Sequence, residues 1–148
     1  MKKKFKKKFF LLGMGKSGIS LAKFLSRNGI SYLCWDDNNK KRDYLIRENF
    51  NLSTVNLNNL KQCFFLVLSP GINHSSSNPH EAIKIAKKLN IKIITDLELL
   101  ALLNYKNFLI GITGTNGKST TTNFVQKITT NSKLCGNFGV PFSDLEIQ

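Results

Sequence analysis

Phe9-Phe10-Leu11-Leu12-Gly13-Met14-Gly15-Lys16-Ser17-Gly18 sets the architecture of the first hundred residues. Four apolar residues in a row, stopped by glycine, predict a buried strand. The glycines follow the spacing G-x-G-x-x-G and lead into an apolar stripe at helical spacing, Ile19, Leu21, Ala22, Phe24 and Leu25, which Gly29 ends. In a strand–turn–helix unit of this kind the first glycine permits the tight turn. The second lets the backbone approach a diphosphate, and the third allows helix and sheet to pack closely. A purely structural glycine turn, with Asp36 as a local capping residue, stays open beside that ligand-binding reading. If a ligand is held here, a dinucleotide and a UDP-linked sugar both carry the required diphosphate.

Strands and helices alternate outward from this unit. Ser31–Trp35 predicts a second strand closing on Asp36-Asp37, the place of a ribose-binding acid. A short helix is expected from Asp43 to Phe50. Phe64–Leu68 predicts a buried strand stopped by Ser69-Pro70-Gly71. Glu81–Leu89 predicts a helix, Ile91–Ile94 a strand, and Asp96–Leu103 a last helix with Asp96 as its cap. The alternation implies an α/β fold: a Rossmann-like, doubly wound parallel sheet. Ligands of such sheets sit at the carboxyl edge, where Ser69 and Gly71 also fall.

Asn104–Asn107 is a polar connection, and a second strand–turn–helix pattern follows. Phe108–Ile112 reads as a buried strand, and Thr121–Ile128 as a helix. Between them lies Gly114-Thr115-Asn116-Gly117-Lys118-Ser119-Thr120. Glycines let backbone N–H groups close on phosphate oxygens, and the helix N-terminus adds partial positive charge. Residues 114–121, Thr121 included, are therefore the expected ATP-binding segment. Lys118 is the expected catalytic cation, and the Ser119 hydroxyl the ligand for Mg²⁺. At 4 Å and an effective dielectric of ~20, Lys118 would attract a phosphate charge by about 4 kcal/mol. The loop departs from the standard Walker spacing, because Ile112 stands where a glycine belongs. The division expected is residues 1–104 for the Rossmann-like domain and 105–148 for the start of a P-loop α/β domain. About one βαβ repeat of that second domain is present, so the expectation is the front part of a longer protein or a truncated gene product.

The net charge of +13 invites a nucleic-acid reading. The excess is mostly lysine, however, and Arg27, Arg42 and Arg47 are the only arginines. Lys, Asn, Ile and Phe share A/T-rich codons, so genome composition accounts for the charge, and no nucleic-acid partner is expected. Base-reading and phosphate-forking surfaces favour arginine. Cys34, Cys63 and Cys135 are isolated, which argues against a disulfide framework and a zinc site and fits a reducing cytoplasm. The apolar run behind the N-terminal lysines is too short for an export signal, and no stretch approaches a membrane span. His74 and His80 lack spaced partners, and surface or capping roles are expected for them.

A diphosphate-binding βαβ unit followed by Thr-Gly-Thr-Asn-Gly-Lys-Ser-Thr resembles the Mur ligases of peptidoglycan synthesis. The phosphate loop by itself fits folylpolyglutamate synthases as well. Leu68-Ser69-Pro70-Gly71-Ile72, Asp96-Leu97-Glu98-Leu99 and Gly136-Asn137-Phe138-Gly139-Val140-Pro141 point to the D-glutamate-adding branch. The resemblance implies a first domain that binds the UDP part of its substrate. Gly15, Lys16 and Ser17 would lie near the diphosphate, Asp36 and Asp37 near the uridine, and Ser69 and Gly71 at the border of the pocket. Asn137 would reach the sugar-nucleotide from the ATP domain. Lys16 replaces a usually neutral residue, and Asp37-Asn38 stand where some relatives carry Thr-Arg.

The implied substrates are UDP-N-acetylmuramoyl-L-alanine, D-glutamate and ATP, with Mg²⁺, in a cytoplasmic monomer. The substrate carboxylate would take the γ-phosphoryl group, and the amine of D-glutamate would then displace phosphate to leave an amide. The family's further metal-binding carboxylate, carbamylated lysine and amino-acid-binding domain would lie beyond Gln148, so residues 1–148 alone are expected to be inactive. Two other readings remain: a Mur-type ligase adding L-alanine or a diamino acid, and a non-catalytic UDP-sugar or dinucleotide-binding module.

Overall fold

The computed structural model describes residues 7–73, 75–103, 108–136 and 140–145. Four parallel strands form one sheet in the order β2-β1-β3-β4, with β1 at Lys8–Leu12, β2 at Tyr32–Trp35, β3 at Cys63–Leu68 and β4 at Lys92–Thr95. The helices are α1 (Lys16–Arg27), α2 (Asn39–Arg47), α3 (Leu57–Lys61), α4 (Glu81–Lys88), α5 (Asp96–Leu102) and α6 (Lys118–Ile128). The chain goes from β1 outward to β2, then returns to the other side of β1 for β3 and β4. Leu12 is in register with both Trp35 and Leu68, and Leu68 with Thr95, so all four strands end at one level. A reversal of strand order at a common carboxyl edge opens a crevice there.

Both sheet faces are covered, which is why the strands are continuous apolar runs. Side chains alternate across the sheet. Phe9 and Leu11 join Leu21, Ala22 and Leu25 of α1 and Leu99 and Leu100 of α5 in one core. Phe10 and Leu12 join Leu60 of α3 and Ala82, Ile83 and Ala86 of α4 in the other. Cys34 and Cys63 are buried, and burial pushes their thiols up to about 12 and about 11 respectively. Such thiols are small core residues, not nucleophiles.

Several boundaries differ from expectation. Helix α2 starts at Asn39, not Asp43, because the Asn38 side chain caps it by accepting from the Lys41 N–H. Helix α3 is short and was not anticipated; Asn56 caps it through the Asn59 N–H at 2.9 Å. Asp96 does not cap α5. Thr95 does, in a capping box with Glu98, and Asp96 is the first helical residue.

The larger correction concerns residues 108–112. They are not a buried strand: Phe108 is 92% exposed, and Leu109 and Ile110 are exposed as well. A strand exists by pairing, and among the described residues no strand lies beside this run. Helix α6 forms but buries none of its residues. Further on, a 3-10 turn at Phe142–Asp144 packs on α1. Phe142 enters the α1–α5 core, and the Ser20 hydroxyl meets Ser143 Oγ and Asp144 Oδ1, each at 2.5 Å. Among the described residues no helix is long and apolar enough to cross a membrane.

Candidate functional site

At the carboxyl edge, the ends of β1, β2 and β3 enclose an open cleft of about 440 Å³. Its wall holds Gly13, Gly15, Lys16 and Ser17 from the β1–α1 turn, Asp36, Asp37 and Lys41 after β2, and Ser69, Pro70, Gly71 and Ile72 after β3. The expected residues Gly15, Lys16, Ser17, Asp36, Asp37, Ser69 and Gly71 are thus brought together. Asn137 and His74 lie outside the described residues.

The glycine turn is held from both sides. Gly13 has φ +88°, and a Cβ there would stand 2.8 Å from Ile72 Cδ1 and 3.0 Å from Ser69 Cβ. A Cβ on Gly18 would stand 2.1 Å from the Gly13 carbonyl oxygen, so only glycine lets α1 approach the turn this closely. Around Gly15, by contrast, a Cβ would meet no atom within 4 Å, and its backbone faces open space. Gly15 is the N-cap of α1; among the described residues no side chain caps this end, and no acidic residue stands in the first turn. The N–H groups at that end and the positive end of the helix dipole are the elements of an anion site.

Asp36 and Ser69 act on the turn itself. The Asp36 carboxylate accepts from the Met14 N–H at 2.7 Å, the Asn38 N–H at 2.9 Å and the Lys41 ammonium at 3.1 Å. Burial acts to raise its pKa, but these donors outweigh it and hold the carboxyl below its ordinary value. Ser69 Oγ donates to the Gly13 carbonyl at 2.5 Å. Asp37 accepts from Trp35 Nε1 at 2.9 Å and pairs with His80 Nε2 at 3.1 Å. These contacts offset the effect of burial, and its carboxyl too lies below its ordinary value. The other His80 nitrogen, Nδ1, accepts from the Ala82 N–H and caps α4, one of the two roles expected of this histidine. The Arg42 guanidinium stacks 4.5 Å above the Trp35 ring and donates to the Asp36 carbonyl at 2.8 Å.

Residues 114–121 do not line this cleft. Gly117, at φ +72°, caps α6 in the left-handed region and turns the chain into the helix. The Lys118 ammonium folds back across the loop and donates to the carbonyls of Gly114 and Thr115. Loop and helix start are exposed, apart from a half-buried Lys118. Among the described residues no side chain caps α6, and its first turn holds no acid.

The profile of the Mur ligase MurD-like N-terminal domain matches residues 7–95, which hold the four strands, α1 to α4 and the whole cleft wall. The chain belongs to the MurD-like Mur ligases. The UDP-N-acetylmuramoylalanine–D-glutamate ligase of Wolbachia sp. subsp. Brugia malayi is 35% identical, over 92% of this chain and 29% of that protein. Its namesake in Rickettsia prowazekii is 38% identical over 92% and 31%, and that of Bartonella henselae 33% identical over 95% and 33%. This MurD-like chain spans about a third of the length of these relatives.

Lys41 is the cleft residue that sequence reasoning missed. It reaches the wall only because α2 starts at Asn39, and the capping Asn38 was the available signal.

Proposed function

We propose that this chain supplies the UDP-binding domain, residues 1–104, and the first phosphate-loop unit, residues 105–148, of an ATP-dependent amide ligase. The ligase adds D-glutamate to UDP-N-acetylmuramoyl-L-alanine through an acyl phosphate, in the cytoplasm, during peptidoglycan precursor synthesis. One observation carries this: the family match falls on the domain whose cleft gathers an uncapped helix N-terminus, Lys16 and Ser17 around an open Gly15. The names of the relatives supply the substrate and the amino acid.

The Asp36 carboxylate is held by two backbone N–H groups and by Lys41, which fixes the floor of the cleft on which either nucleotide would sit. Gly114, Thr115, Asn116, Gly117, Ser119, Thr120 and Thr121 would cradle ATP, with Ser119 holding Mg²⁺. The bound nucleotide supplies the phosphoryl group that activates the substrate carboxylate. Lys118 would leave the loop carbonyls for the phosphate and neutralise its charge, since positioning and charge compensation are what phosphoryl transfer demands of a protein.

Calorimetric titration of the 148-residue chain with UDP, UDP-N-acetylmuramoyl-L-alanine and NAD tests the assignment. Binding of both uridine nucleotides and not of NAD is expected, with no amide formed when ATP and D-glutamate are added. A preference for NAD would replace the reading with a dinucleotide-binding module.

A further inference from the structure

We propose that Lys41 is a ligand-contact residue of the cleft, donating its ammonium to a diphosphate oxygen of the bound nucleotide. The proposal rests on the nucleotide-sugar reading of the cleft and assigns a contact within it.

Two acidic residues follow β2, and as carboxylates both repel a phosphate unless cations offset them. Asp36 is buried, its side chain 10% exposed, and three donors occupy its carboxylate. Asp37 is bound by Trp35 and His80 at the other rim. Lys41 differs. Its side chain is 47% exposed, it lines the cleft, and among the described residues its ammonium gives one hydrogen bond, to Asp36 Oδ2. An ammonium has three donors. One anchors it to a carboxylate fixed at the base of the turn, and two remain for a ligand.

Asp36 also serves as a counterion that holds the charge in place while the cleft is empty. The same oxygen accepts from the Met14 N–H, so the lysine is anchored to the very turn whose backbone faces the diphosphate. Lys16, the first residue of α1, brings the second ammonium to the wall. A diphosphate seated over Gly15 would then meet a helix N-terminus and two cations. That arrangement offsets the two aspartates at the cleft and gives the site its selectivity for phosphate charge over the neutral nucleoside.

The experiment is a titration of the 148-residue chain and its Lys41→Ala and Lys41→Arg variants with UDP and with uridine, at two salt concentrations. Thermal melts establish that each variant is folded. Lys41→Ala should weaken UDP binding about 10-fold, the scale of one charge-assisted hydrogen bond. It should leave uridine binding unchanged and reduce the salt dependence, and Lys41→Arg should restore most of the loss. Equal losses for UDP and uridine, or no loss for UDP, would overturn the proposal while the cleft reading survived. Failure of the unaltered chain to bind UDP would remove both.

Discussion

The chain contains Gly-Lys-Ser twice, at Gly15-Lys16-Ser17 and at Gly117-Lys118-Ser119, and the two copies have opposite surroundings. Each glycine is the N-cap of a helix that begins at the lysine, without a side-chain cap or a first-turn acid. Gly15 is extended, at φ −77°, while Gly117 is left-handed, at φ +72°. Helix α1 buries Gly18, Ser20, Leu21, Ala22, Phe24 and Leu25, whereas α6 buries nothing. Lys16 stands in a cleft walled by three strand ends, and Lys118 turns back onto its own loop. A glycine turn and a helix are written locally. The walls that make a turn into a site come from segments far away in sequence, here residues 36–41 and 69–72.

The contrast can be broken most forcefully at the third glycine of the first turn. Gly18→Ala forces a Cβ against a backbone oxygen that cannot move without opening the β1–α1 turn. A loss of at least about 4 kcal/mol is expected in urea denaturation, enough to abolish most of the domain's stability. Gly117→Ala meets no atom and carries only the cost of its left-handed backbone, about 1–2 kcal/mol, confined to α6. The main unfolding transition should not shift. Equal effects of the two substitutions would erase the distinction.

A smaller effect is expected where the later segment returns to the first domain. Phe142→Ala removes a buried ring from the α1–α5 core and should cost about 3 kcal/mol, whereas Phe124→Ala on exposed α6 should cost close to nothing. The midpoints of thermal or urea unfolding report both.

The gentlest probe is pH. Asp36 has a folded pKa below its ordinary value, so its ionisation stabilises the fold fully above the unfolded pKa and progressively less as pH falls through the folded one. The unaltered domain should therefore lose stability below about pH 4 by a component that Asp36→Asn lacks. Above that range the variant should be uniformly less stable. Parallel stability–pH curves for the two proteins would mean that the carboxylate does not hold the turn.

Much of this was legible in the residues, for physical reasons that differ from place to place. Phe9–Leu12 and Leu66–Leu68 are buried because both sheet faces are covered there, whereas Phe64 near the start of β3 is 53% exposed against the expectation; glycine or Ser-Pro-Gly marks where the strands stop. Strand ends and glycine spacing put Gly15, Asp36, Ser69 and Gly71 at one carboxyl edge without coordinates, and the resemblance to the Mur ligases added Lys16, Ser17 and Asp37. The start of α2 and the whole of α3 rest on single asparagine caps, a weaker signal than apolar periodicity, and Lys41 was lost with them. Asp37 and His80 are 43 residues apart, and no local pattern pairs them. Phe108–Ile112 has the composition of a strand, but composition alone supplies no hydrogen-bonding neighbour.

The most direct test of the nucleotide cleft is a ¹⁵N-edited NMR titration of the 148-residue chain with UDP-N-acetylmuramoyl-L-alanine. The account predicts that the amides of residues 13–18, 36–41 and 69–72 shift together and saturably, while those of 114–121 stay in place. Shifts confined to 114–121, or none at the β1–α1 turn, would contradict it.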